Sequence, residues 1–187
     1  MIVDAAMSLI DKQGLSATSA REIANAAGVS LGTLTYHFES VDDILVQVLS
    51  ALMDRFERRR AIVLAEYSDP LESLCVALSS YLDPEVYPPT TWRIWLDCWA
   101  RAARSPMLRQ WQLERYAESY EEVEEIIADG IAQGRFPPVD ARECAREFVA
   151  LLDGLAEQML IDSELSSEQA RAIIEGAVRR RMAPTSP

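Results

Sequence analysis

The stretch Ser19 to Phe38 reads SAREIANAAGVSLGTLTYHF, and its spacing decides the fold. Ser19 followed by Glu22 is a capping box, the signature of a helix start. Ala27-Gly28-Val29 then supplies a tight turn, and Ser30 can cap a second short helix. Ile23, Ala24, Ala27, Val29 and Leu34 are spaced to share one small core, which sets the two helices at a steep angle. Ser30, Leu31, Thr33, Thr35, Tyr36 and His37 are left on or near the outer face of the second helix, the kind of helix that reads a DNA major groove. There, hydroxyls can meet donors or acceptors and a leucine can meet a thymine methyl. The alternative for these residues is ordinary solvent exposure, with Tyr36 and His37 merely ending the helix.

Helical periodicity continues on both sides of this stretch, and no alternating strand pattern interrupts it. Residues 2 to 13 place Ile2, Ala5, Ala6, Leu9 and Ile10 on one stripe, stopped by Gly14. Ser40, three residues before Asp43, can cap a long fourth helix running to about Tyr67. Breaks at Ser68-Asp69-Pro70, Asp83-Pro84 to Pro89, Ser105-Pro106, Gly134 to Pro138 and Ser163 to Ser167 mark off about five more helices. The expected fold is all-α with about nine helices. Residues 1–45 form a helix-turn-helix domain, residues 46–182 a larger helical domain, and residues 183–187 a disordered tail.

Across 187 residues the net charge is -12, which excludes a protein that binds polyanions indiscriminately, because such binding needs a basic surface. No apolar run approaches the roughly 20 residues of a membrane span. Met1-Ile2-Val3 leads straight to Asp4, unlike a secretory signal, so a cytoplasmic location is expected. Cys75, Cys98 and Cys144 stand far apart without a Cys-x-x-Cys pair and read as small buried apolar residues. One histidine, no nucleophile in motif spacing, no glycine-rich phosphate loop and no paired metal ligands argue against an enzyme and against a cofactor or metal site. Asp42-Asp43 superficially suits a metal-dependent prenyl-transferring enzyme. Ile44, Leu45, Val46 and Gln47 follow, however, and the two acids read as helix-start charges.

The three-helix domain of residues 1–45 closely resembles the TetR family of transcriptional regulators, through Ile23-Ala24, Ala27-Gly28-Val29-Ser30, Gly32-Thr33-Leu34, Tyr36-His37-Phe38, Ser40 and Ile44-Leu45. The second half is similar to the BetI-like branch, through Trp95-Leu96-Asp97 with Ala100 and Ala103, Gly130 to Phe136, and Leu151-Leu152-Asp153-Gly154-Leu155. The resemblance implies a homodimer, usually a repressor, that binds a near-palindromic double-stranded operator and leaves it when a small-molecule effector binds. This sequence departs from the family at Thr35 and Val41, where a tyrosine and a lysine are usual, and Leu31 occupies a position that is often basic. Residues 1–47 hold Lys12 and Arg21 against Asp4, Asp11, Glu22, Glu39, Asp42 and Asp43, a balance of -4. Two features can offset it. The family's usual chain begins several residues earlier, often with basic residues, and helix N-termini hold phosphates without side-chain charge. The competing reading is a helical ligand-sensing or protein-interaction dimer whose DNA binding is weak or lost.

Trp92, Trp95 and Trp99 recur at i, i+3 and i+7 and face one way, and Tyr116 with Tyr120 makes a similar stripe. With Asp97, Cys98, Phe148, Leu152 and Met159 they are candidates to line an effector pocket. Aromatic walls beside a carboxylate suit an aromatic or cationic molecule; the alternative is ordinary core. Helices near 140–162 and 167–182 carry apolar residues on more than one side. Val149, Ala156, Leu160, Ile173 and Ala177 are candidates for a two-fold four-helix interface, with Gly154 permitting close approach; burial within one chain is the alternative. Arg55, Arg58, Arg59 and Arg60 read as a solvated face pairing with Glu57 or Glu66. Arg179, Arg180 and Arg181 read as cations favoured by a helix C-terminus.

Overall fold

The structure is a computed structural model that describes residues 2–14 and 17–183, apart from the side chains of residues 11 and 90. Residues 184–187 of the expected tail lie outside the described residues. Among the described residues nine α-helices follow one another: α1 (Ile2–Gln13), α2 (Ala20–Ala26), α3 (Leu31–His37), α4 (Val41–Leu64), α5 (Pro70–Ser79), α6 (Pro89–Ala102), α7 (Pro106–Ala132), α8 (Ala141–Ile161) and α9 (Ser167–Met182). A 3-10 turn, Ser80–Leu82, follows α5, and no strand occurs among the described residues.

The helix starts are set by short polar side chains. Ser19 Oγ accepts the Glu22 N–H while the Glu22 carboxylate accepts the Ser19 N–H at 2.8 Å, closing the capping box of α2. Ser30 Oγ accepts the Thr33 N–H at 2.9 Å, and Ser40 Oγ accepts the Asp43 N–H at 3.1 Å. Asp69 caps α5, whose first residue is Pro70, where a missing N–H costs nothing. Gly14 and Gly28 take left-handed conformations, φ +81° and +67°, where a side chain would be strained.

The chain divides into two compact units. The first, Met1–Arg55 with Thr90–Glu114, takes in α1 to α3, the start of α4, α6 and the start of α7. Its core includes Ala6, Ile10, Ile23, Ala24, Leu34, Ile44, Leu45 and Val48, each worth roughly 1.5–3 kcal/mol when a large aliphatic is fully buried. Trp111 on α7 joins α4 by donating Nε1–H to Ser50 Oγ at 3.0 Å.

The second unit, Phe56–Pro89 with Arg115–Pro187, packs α5 against α8 and α9, and α8 against α9. Leu74, Leu78, Leu82, Ile127, Leu155, Ile174 and Val178 fill its core. Arg60 corrects the expectation of a solvated arginine face. It does pair with Glu57, but it is only 6% exposed, donates to Glu122 at 2.7 Å and lies over the Tyr81 ring. Burial works against its charge, yet Tyr81, Glu122 and Glu57 together hold the guanidinium above its ordinary range. Arg55, Arg58 and Arg59 are exposed, as expected.

The end of α7 is a Schellman motif built from Gly130 to Phe136. Gly134 stands at φ +69°, the Arg135 N–H donates to the Gly130 carbonyl at 2.8 Å, and the Gly134 N–H donates to the Ile131 carbonyl at 2.9 Å. Phe136 folds back so closely that a Cβ on Gly130 would fall 2.2 Å from its ring. Gly130→Ala should therefore lower the free energy of unfolding by about 1–3 kcal/mol, the usual scale of overpacking, as read by urea denaturation. An unchanged midpoint would show that Phe136 yields freely.

Candidate DNA-binding and effector sites

All six candidates of the DNA-facing set are exposed on α3 or at its cap. Tyr36 is 85% exposed and Leu31 41%, while Leu34 on the opposite side is buried. Tyr36 and His37 meet edge to face, with ring centroids 5.2 Å apart. The hydroxyls are partly committed to the helix itself. Ser30 Oγ lies 2.8 Å from Thr33 Oγ1, and Thr35 Oγ1 donates to the Leu31 carbonyl at 3.1 Å. What faces outward most freely is therefore a leucine, a tyrosine and a histidine, with spare hydroxyl lone pairs beside them.

The aromatic candidates fall into both units, each cluster with its own packing. In the first unit Trp92 and Trp95 are buried and Trp99 is half-buried. Trp95 stacks on Trp111 at 5.5 Å and meets Trp99 at 6.2 Å. Trp99 Nε1 and Gln112 Oε1 are buried there without a hydrogen-bond partner among the described residues. Trp111 and Gln112 were not foreseen, because they lie on another helix from the tryptophan stripe. Asp97 belongs to the first unit, where its carboxylate lies 3.6 Å from where a Cβ on Gly14 would stand, at the end of α1.

In the second unit Tyr116 and Tyr120 stack with centroids 5.8 Å apart and planes only 8° from parallel. Arg142 and Arg146 lie 5.5 and 6.0 Å from the Tyr120 ring centre, so that ring already has cationic neighbours. Phe148 is buried on α8, and Met159 is half-buried further along it. Asp153, known from the sequence only as part of a motif, receives the Tyr116 hydroxyl hydrogen at 2.8 Å. No cation pairs with it among the described residues. Burial raises its carboxyl from 3.8 to about 6, with the tyrosine hydrogen bond opposing that rise.

Of the candidates for a two-fold interface, Val149 and Ala156 are buried within their own chain. Leu160 and Ala177 are half-buried, and Ile173 is 44% exposed. Ile161, at the end of α8, is 75% exposed. Between α8 and α9, Glu147, Phe148, Leu151, Ala177, Arg180 and Arg181 line an open depression of about 370 Å³. Apart from its chain neighbours and its own helix backbone, no described residue comes within 4 Å of where a Cβ on Gly154 would stand. Arg179 is held by both oxygens of Glu72, at 2.8 and 2.9 Å, and Arg181 approaches Glu147. All three cysteines are buried and unpaired, and burial raises the thiols of Cys75 and Cys98 to about 11 and about 12.

Residues 2–48 match the model of the tetR family of bacterial regulatory proteins, and residues 70–183 match that of the BetI-type transcriptional repressor C-terminal domain. The chain belongs to the tetR family. The HTH-type transcriptional regulator BetI of Paraburkholderia xenovorans is 28% identical over 158 residues, covering 82% of this chain and 77% of that protein. The BetI of Burkholderia cenocepacia is 29% identical over 159 residues, with the same coverage. A transcriptional regulator from Saccharomonospora viridis, solved in complex with choline, superposes with a TM-score of 0.84 at 27% identity, covering 97% of this chain and 95% of that one. A TetR-family regulator from Rhodococcus sp. gives 0.81 at 27% identity over 97% and 96%. The tetR-family chain is thus a DNA-binding, ligand-responsive transcriptional regulator. Among the described residues no helix is long and apolar enough to cross a membrane, and no group of three or more His, Cys, Asp or Glu could hold a metal ion.

The Asp153 carboxyl makes a stability measurement informative. Its folded value lies above its unfolded one, so ionisation is opposed by the fold: the cost is absent below about pH 4, grows through pH 4–6 and is complete above pH 6. Asp153→Asn should raise stability by about 2 kcal/mol at pH 7 and converge with the wild type near pH 4, as read by thermal melting across pH. A variant less stable at pH 7 would show that the carboxylate is satisfied in the folded chain.

Proposed function

We propose that this regulator is a homodimer in the cytoplasm that occupies a near-palindromic operator and is released from it by an organic cation. The observation that carries the effector class is Asp153, a half-buried carboxylate on α8 with a tyrosine hydroxyl and no cationic partner among the described residues. A cation would supply the missing charge, and the adjacent Tyr116 and Tyr120 rings offer π-faces. The choline bound to the similar Saccharomonospora viridis regulator makes choline the first molecule to try. Phe148 and Met159, also on α8, are assigned to effector recognition with Asp153, and Trp92, Trp95 and Trp99 form a separate candidate cluster in the first unit.

On the DNA side, Ser30, Leu31, Thr33, Thr35, Tyr36 and His37 are proposed to meet the major groove and its phosphates. Leu160, Ile173 and Ala177 face a second copy, and the open space at Gly154 suits a close helix approach there. Val149 and Ala156 support that face from within, since they have no surface of their own to offer. α4 is the proposed coupling element because one continuous helix, Val41–Leu64, carries both the link to α3 and the Arg60 network. Effector binding would then favour a dimer whose recognition helices no longer match half-sites about 34–36 Å apart.

Choline titrated onto the protein should quench or shift tryptophan fluorescence and lower affinity for the selected operator fragment, with binding strengthening as pH rises through 6. Asp153→Asn should weaken choline binding at least tenfold while leaving operator binding intact, because a buried charge pair is worth more than about 1.4 kcal/mol. Trp95→Leu should alter the response before it alters operator affinity. Equal choline affinity in Asp153→Asn and the wild type would contradict the assignment of Asp153. Tyr36→Ala with His37→Ala should weaken operator binding without loss of helicity or dimer, and unchanged binding would contradict the recognition face.

A further inference from the structure

Asp42 and Asp43 open α4 side by side, and the structure gives them different tasks. Asp43 is used locally: its carboxylate accepts the Glu39 N–H at 3.3 Å and its own N–H donates to Ser40 Oγ. Asp42 reaches α6 instead, where Arg101 Nε donates to its Oδ1 at 2.5 Å across 59 residues of sequence. The two side chains are 21% and 38% exposed, so the pair is partly open to water. Both belong to the first compact unit.

Asp42 follows His37 by five residues, through the short link Phe38–Ser40. On the DNA-binding reading above, a duplex contacting Tyr36 and His37 would approach the start of α4, and its phosphates would feel a carboxylate lying within the screening length of roughly 8 Å at physiological salt. An unpaired carboxylate there opposes binding, and the helix-turn-helix has few cations with which to offset it.

We propose that Arg101 is a charge mask for Asp42: by pairing with it, a side chain of α6 cancels a carboxylate that would repel the DNA backbone. Arg101 is then a positioning residue for operator binding, acting through Asp42 rather than by reading bases. The proposal rests on the DNA-binding reading above. It differs from a purely structural role in one respect, because removing the Asp42 charge restores the binding that Arg101→Gln loses.

The test is operator binding by fluorescence anisotropy with the full chain, at about 50 and about 200 mM salt, for the wild type, Asp42→Asn, Arg101→Gln and the double variant. Arg101→Gln is expected to bind about tenfold more weakly, and the double variant to return to within about twofold of the wild type. Asp42→Asn alone is expected to bind several-fold more tightly, with a salt slope steeper by up to about 0.9, one guanidinium's share. Circular dichroism and sedimentation check that each variant remains helical and dimeric. If Arg101→Gln fails to fold, Asp42→Asn still decides the matter. Unchanged or weaker binding by Asp42→Asn, or a double variant as weak as Arg101→Gln, overturns the mask. A wild type that binds no DNA at all overturns the DNA-binding reading, a result distinct from the failure of rescue.

Discussion

Scarcity of positive charge at the DNA-binding end is the constraint under which the rest of this molecule works. With a net charge of -12 overall and -4 over residues 1–47, operator binding cannot rest on a basic field. Shape and local hydrogen bonding have to carry it: an exposed Tyr36 and His37, hydroxyls tied into the frame of α3, and acids spent on capping or held in pairs. The same constraint explains why Asp43 is bound into the start of α4 and why Asp42 has a cation brought to it from α6.

α6 is the element on which these demands converge. Asp97 sits against the end of α1, Arg101 holds Asp42, and Trp95 stacks on Trp111. A helix so placed cannot move without disturbing either the tryptophans or the charges next to the DNA-binding helices. The second unit has its own buried charges in Arg60 and Asp153. They are treated differently: Arg60 has two carboxylates and a tyrosine ring, while Asp153 has one hydroxyl. The first arrangement resembles a clamp, the second a place held open for a cation.

Much of the frame was legible in the sequence because helix signals are local. Ser19, Ser30, Ser40 and Asp69 announce their helices through bonds made within three residues, and Gly14 and Gly28 announce the turns through the backbone they permit. The exposed face of α3 followed from the same spacing. What escaped were the long-range pairs. Asp153 needs Tyr116, 37 residues away, Arg101 needs Asp42, 59 away, and Arg60 is held by Tyr81 and Glu122 as well as by Glu57 on its own helix. In the sequence Arg60 reads as one of four arginines on a solvated face with glutamates in reach, and only Arg60 of the four is buried. Val149 and Ala156 show the same limit, since an apolar stripe does not reveal whether its own chain or a second copy covers it.

The most direct measurement is selection of genomic fragments by the purified protein, with the enriched sequence then bound at two salt concentrations. The expected result is a near-palindromic site with two half-sites one helical turn apart, bound with a salt slope shallower than the roughly -10 of a strongly cationic repressor. A protein that remains dimeric yet enriches no sequence would contradict the account, and would leave a ligand sensor on a DNA-binding frame that no longer binds DNA.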